Sequence, residues 1–240
     1  MAAGTEPLRL AVDDGTRVSA LLDAPRDARA ALVLAHGAGA GMAHPFMAAV
    51  AAGLAARGIA CLRYQFPYME AGSRRPDRPA LAHATVRAAV AQARRRFDDL
   101  PLFAGGKSFG GRMTSQAQAL EPLAGVVGIV FLGFPLHPAG KPATERADHL
   151  DAVRIPMLFA QGTRDELAEW SLLERVLERL GARATLVRLD GVDHAFHVPA
   201  KSGRRDRDVL DEALDATRRW VDALATNERR QASPVPRRSP

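Results

Sequence analysis

The stretch most able to do chemistry runs from Leu102 to Met113, where an apolar segment breaks into Gly105-Gly106, presents Lys107 and Ser108, and continues through Phe109-Gly110-Gly111. Gly106-Lys107-Ser108-Phe109-Gly110 fits the G-x-S-x-G elbow, in which a strand turns sharply into a helix and lifts a serine hydroxyl above the sheet edge. Its glycines are needed because strand and helix approach too closely for side chains. Gly106-Lys107-Ser108 also ends like a phosphate loop, but the glycine required five positions earlier is Pro101. A dinucleotide reading of Gly37-Ala38-Gly39-Ala40-Gly41-Met42 fails in the same way, because the third glycine falls on Met42.

A serine hydroxyl is a weak nucleophile until a histidine takes its proton, and the histidine needs a carboxylate to orient it. Asp165 follows the apolar run Ile155 to Gln161, and His194 follows the run Ala184 to Leu189. The order Ser108, Asp165, His194, each after a strand, is one known arrangement of such a triad. Asp165 also stands where a helix N-cap is expected, and Glu166, Asp148 and Asp151 compete for the acid role. His197 is the alternative base. His194 and His197 lack an accompanying acid or cysteine cluster at a metal spacing, so no metal is expected. The oxyanion formed on attack needs N–H donors, here expected from Phe109, just after the serine, and Ala38, with Gly39 as fallback. Phe66, Tyr68, Phe134 and Leu136 are expected as apolar walls of the substrate pocket, and Arg74 or Arg75 as attractors of an anionic substrate.

Positioning these groups requires alternating strands and helices. Leu8 to Val12 and Thr16 to Leu22 read as a hairpin closed by Asp13-Asp14-Gly15, whose glycine would supply a positive φ. Ala30 to Ala35 is a short apolar run suited to a strand buried on both faces, Ile59 to Tyr64 and Leu102 to Gly106 read as further strands, Gly125 to Leu132 is almost wholly apolar, Ile155 to Gln161 reads as another buried strand, and Ala184 to Leu189 as a last one. Between them, Pro45 to Arg57, Ala80 to Phe97, Met113 to Leu120, Glu166 to Leu180 and Arg207 to Leu224 carry helical periodicity. Gln65 to Pro79 and Gly133 to Arg154 read as loops, the second too short and broken for a large lid. The pattern predicts an α/β fold: a mostly parallel twisted sheet, helices on both faces and an N-terminal antiparallel hairpin.

With 240 residues and 47% hydrophobic content, one domain over residues 1–225 is expected, followed by a disordered basic tail over 226–240. The single cysteine, Cys61, excludes an internal disulfide and reads as a buried apolar residue. The net charge of +6 is spread over separate arginines without interleaved aromatics, which argues against nucleic-acid binding. Met1 to Leu10 lack a signal-peptide pattern and no run is long enough to span a bilayer, so a cytoplasmic protein is expected.

Taken in order, Leu34 to Met42 with His44-Pro45-Phe46-Met47, Tyr64 to Glu70, Gly105 to Arg112, Gly133 to Pro138, Gln161 to Asp165 and Asp193-His194 resemble the α/β-hydrolase superfamily. Within it the chain is similar to the small dienelactone-hydrolase-like group that includes the testis-expressed hydrolase-like proteins. The resemblance implies the α/β-hydrolase fold without a large lid, and Ser108, Asp165 and His194 as triad. Dienelactone hydrolases proper carry a cysteine nucleophile where this chain has Ser108. The expected activity is cofactor-independent cleavage of a small carboxylic ester or thioester through an acyl-enzyme, by a monomer or homodimer. A non-catalytic binding or scaffold protein on the same fold is the alternative.

Overall fold

A computed structural model describes residues 4–232. Eight strands, β1 (Glu6–Ala11), β2 (Arg17–Asp23), β3 (Ala30–Ala35), β4 (Ile59–Tyr64), β5 (Leu102–Lys107), β6 (Val126–Leu132), β7 (Met157–Gly162) and β8 (Ala184–Leu189), form one sheet in the order β1-β2-β4-β3-β5-β6-β7-β8. β2 is antiparallel to both its neighbours, and the strands from β4 to β8 are mutually parallel. Helices α1 (Pro45–Ala55), α2 (Pro67–Glu70), α3 (Pro79–Arg96), α4 (Phe109–Leu120), α5 (Trp170–Leu180) and α6 (Asp206–Ala232) surround it.

Every residue of β3 and β4 is buried, as expected of strands covered on both faces. Side chains alternate across β3. Leu32 and Leu34 pack with α1 and α6 through Val50, Leu54, Val209 and Leu214. Ala31 and Val33 face α3 and α4 through Val86, Ala89, Met113 and Ala117. Beyond β6, Phe131 and Phe159 join Leu173 and Val176 of α5. Arg57, after α1, holds α6 through Asp211 at 2.9 Å and Asp215 at 2.8 Å. Cys61 lies in β4 and is fully buried.

Five local expectations need correction. The hairpin turn does not use a positive φ at Gly15; the Asp13 carboxylate accepts from the N–H groups of Gly15 at 3.0 Å and Thr16 at 2.7 Å and closes the turn itself. The Gln65 to Pro79 loop contains α2, and the Gly133 to Arg154 connection contains a 3-10 helix over Glu145–Ala152. Helix α5 starts at Trp170 rather than Glu166, so Asp165 is not its cap. Helix α6 runs to Ala232, past the expected end at Leu224; the expected disorder over 233–240 lies outside the described residues. Among the described residues, no helix is long and apolar enough to cross a membrane.

Candidate active site

Between the end of β5 and the start of α4 a single residue makes the reversal. Ser108 has φ 51° and ψ −116°, one of two non-glycine residues with positive φ among those described. Its neighbours explain how the strain is tolerated. A Cβ on Gly106 would lie 2.4 Å from the Ala35 carbonyl oxygen, and one on Gly110 would lie 2.5 Å from that of His36. Only glycine lets α4 dock this closely on β3, and that docking holds the serine in place.

His194 meets Ser108 from the loop after β8. Its Nε2 lies 2.8 Å from Ser108 Oγ, and its Nδ1 lies 2.7 Å from Asp165 Oδ2. The Asp165 side chain, 1% exposed, also accepts from Gln161 Nε2 at 2.6 Å and from the Leu167 N–H at 2.8 Å. With the carboxylate engaged on one side, the ring places its proton on Nδ1 and leaves Nε2 to accept from the serine hydroxyl. Gly133, with φ 71°, leaves the space beneath: a Cβ there would stand 3.5 Å from both Asp165 Oδ2 and His194 Nδ1.

Lys107 completes this floor. Its Nζ donates to the His194 carbonyl at 2.7 Å and stands 5.5 Å from the centre of the Phe196 ring. Burial pushes its pKa down to about 8, against the charges of Asp165 and Asp193, which act the other way. Asp193 shapes the loop further by accepting from the N–H groups of Ala195 and His197 at 2.8 and 2.9 Å. His197 turns away from Ser108 to Asp206 of α6, and Asp151 pairs with Arg179, so neither alternative joins the serine. Among the described residues, no three His, Cys, Asp or Glu side chains converge to hold a metal ion.

The loop after β3 is set by a histidine. His36 is fully buried; its Nε2 accepts from the Phe66 N–H at 3.0 Å, so its Nδ1 carries the proton and donates to the Gly37 carbonyl at 2.8 Å. A trans peptide points its N–H opposite its C=O. With the Gly37 carbonyl held by the His36 ring, the Ala38 N–H points away from that ring, and Ala38 lines the same cavity as Ser108. The Tyr68 hydroxyl fixes the next peptide by donating to the Ala38 carbonyl at 2.9 Å. Farther along, Met42 donates to Gln65 Oε1 at 2.8 Å and accepts from Arg63 at 3.0 Å, while Arg63 pairs with buried Asp23 at 2.8 Å. The Phe109 N–H, at the first position of α4, has no intrahelical acceptor.

Burial pushes the His36 pKa down to about 4. The unfolded chain takes up that proton near 6.5, so between these values it binds more protons than the folded chain and stability falls as pH drops. The shift corresponds to roughly 3 kcal/mol. Urea midpoints measured from pH 7 to pH 4 are expected to fall, and a His36→Asn variant to show a shallower dependence. Parallel curves for the two proteins would contradict this account.

A cavity of about 800 Å³ opens beside Ser108 and His194 on the α1 and α6 side, with Phe46, Met47, Phe196 and Leu210 in its walls. None of Phe66, Tyr68, Phe134 and Leu136 lines it, which corrects the expected pocket walls. They are 0, 4, 1 and 0% exposed. Phe66 packs edge-on against Tyr64 and Phe109, and Phe134 against Phe131 and Phe159. Apolar side chains just beyond strand ends bury more surface by folding back into the core than by bordering a cavity. The cavity's apolar lining comes from α1 and α6, whose inner faces read in sequence simply as core, and from Phe196 in the loop after β8. Arg74 and Arg75 are exposed. The sequence assigns no role to Gln161, Lys107 or His36, and gives Tyr68 a wall position rather than its hydrogen bond to the Ala38 carbonyl; a polar glutamine closing an apolar strand, and a histidine before Gly37, are the signals that mark two of them.

A family profile described as an alpha/beta hydrolase domain matches residues 28–222. Among solved structures, a dienelactone hydrolase from Anabaena variabilis is 21% identical, over 92% of this chain and 98% of that one, with a TM-score of 0.75. A lidless a/b serine hydrolase from Xanthomonas campestris is 22% identical, over 92% and 96%, with a TM-score of 0.69. Est1E from Butyrivibrio proteoclasticus is 17% identical, over 92% and 100%, with a TM-score of 0.67. At these identities the likeness is one of fold.

Proposed function

The chain belongs to the alpha/beta hydrolase domain family and is a hydrolase, and from that footing we propose that it cleaves a small carboxylic ester or thioester through an acyl-enzyme on Ser108. The observation that carries this reading is the continuous line of hydrogen bonds from Ser108 Oγ through His194 to Asp165.

Ser108 Oγ attacks the carbonyl carbon while His194 Nε2 takes the hydroxyl proton, and Asp165 stabilises the imidazolium through Nδ1. The tetrahedral oxyanion is held by the N–H groups of Phe109 and Ala38, each such donor worth about 3 to 4 kcal/mol of barrier. Collapse breaks the bond to the alcohol or thiol, which leaves with the proton from Nε2. Water then attacks the acyl carbon, gives its proton to Nε2, and the acid departs as Ser108 recovers its hydrogen. The apolar walls at Phe46, Met47, Phe196 and Leu210 suit an apolar part of the substrate.

A fluorophosphonate probe reacts with an activated serine. Labelling of the wild-type protein and none of Ser108→Ala is expected; equal labelling of the two, or none of either, ends the proposal.

A further inference from the structure

Arg112 is a half-buried guanidinium whose Nε–H is buried without an acceptor. Such a group is charged at any physiological pH, and a buried donor left unmade is costly. Elsewhere in the chain, buried or half-buried arginines meet acids or backbone carbonyls: Arg57 has Asp211 and Asp215, Arg87 has Glu121, Arg63, whose Nε is also bare, has Asp23, and Arg94 and Arg183 donate to carbonyls after α3 and at the end of the 3-10 helix. Among the described residues no carboxylate pairs with Arg112, and the charge that bears on it is that of Arg146.

The surroundings add positive charge. Arg112 acts on His83 of α3 and on His149 of the 3-10 helix, and both are shifted toward their neutral forms by burial first, with neighbouring positive charges adding to it and, at His83, the hydrogen bond to Gln116 acting the other way. His149 is occupied by Ser115 Oγ at 2.8 Å, and His83 by Gln116 at 3.2 Å. Arg112, His83, Arg146 and His149 are each partly open to solvent.

The position matters as much as the charge. Arg112 is one turn into α4, its N–H donating to the Ser108 carbonyl at 3.1 Å. Helical side chains lean toward the N-terminus, and this one brings its guanidinium 6.0 Å from the ring centre of Phe109, the residue after the serine. It therefore flanks Ser108 on the α3 and α4 side, while the apolar cavity opens on the α1 and α6 side.

We propose that Arg112, supported by Arg146, binds an oxoanion, a carboxylate or a phosphate, carried by the substrate on the side of Ser108 away from the apolar cavity. The anion site rests on the surroundings of Arg112, and its use by the substrate rests on the hydrolase reading above.

Titration calorimetry at low salt with inorganic phosphate and with glutarate tests the site, and the stronger of the two names the anion. Binding by wild type, weakened about tenfold or more in Arg112→Gln and less in Arg112→Lys, is expected. No binding of either anion, or equal binding by Arg112→Gln, overturns the site. If Arg112→Gln does not fold by circular dichroism, Arg146→Gln replaces it, with about threefold weakening expected and unchanged binding overturning the site. The ratio of kcat/KM for the p-nitrophenyl monoester of glutarate to that for p-nitrophenyl butyrate tests its use: a fall of about tenfold in Arg112→Gln supports it, and an unchanged ratio overturns it. Fluorophosphonate labelling of the same samples separates the two readings. A labelled serine without anion binding sinks the site alone; Arg112-dependent binding in a protein that does not label upholds the site and sinks the hydrolase reading.

Discussion

Alanine at position 194 is expected to lower kcat for a p-nitrophenyl ester by about 10⁶, with KM changed little. The reason is geometric. Nε2 stands 2.8 Å from Ser108 Oγ, and no other imidazole among the described residues hydrogen-bonds to that oxygen. In the proposed mechanism, loss of the ring leaves the serine proton without an acceptor and the leaving group without a donor, while the N–H groups at Phe109 and Ala38 would still bind the oxyanion and leave a residual rate. Asp165→Asn is expected to cost about 10⁴, because the amide favours the wrong ring tautomer. Stopped-flow or long-time assays on purified variants read both values. A His194→Ala protein within tenfold of wild type would mean that the chemistry lies elsewhere.

Gly105→Ala is expected to be among the most destabilising single changes in the chain, at about 4 to 5 kcal/mol or more. A Cβ there would stand 2.0 Å from the Val130 carbonyl oxygen and within 2.9 Å of two further backbone atoms of β6. Those atoms belong to the β5–β6 ladder and cannot withdraw without breaking it. Since a domain holds only about 5 to 15 kcal/mol in total, the variant should be largely unfolded or recovered in poor yield. Gly15→Ala is the control: its Cβ would approach only Asp13 Oδ1, at 4.0 Å, and the urea midpoint should hardly move. Equal midpoints for the two variants would refute this account of the elbow.

Most parallel strands were legible because each is a short apolar run buried on both faces, as β3 and β4 are; β8, at the sheet edge and largely half-buried or exposed, was legible from its flanking turns, and all three begin and end where the residues predict. The elbow was legible because Gly106 and Gly110 report a backbone contact that no other residue permits. Asp165 and His194 were legible through their places after β7 and β8, and the structure brings both within hydrogen-bonding reach of one another. What failed depends on direction rather than type. Phe66, Tyr68, Phe134 and Leu136 follow strand ends as pocket residues would, but turn inward, and nothing in their spacing reveals which way a loop side chain points. The start of α5 shifted because Asp165 spends one oxygen on the Leu167 N–H and the other on His194, which keeps residues 165–169 in a turn. Arg112 was hidden for a different reason, since the lack of an acidic partner becomes visible only when α3, α4 and the 3-10 helix are assembled.

The lone thiol offers a practical dividend. Cys61 lies fully buried in β4, and burial raises its pKa, so it stays protonated and out of reach of alkylating reagents in the folded protein. A cysteine introduced at Arg207, on the rim of the cavity, would then be the single site for maleimide attachment. A fluorophore placed there would report ligand entry without any background from the native sulfur.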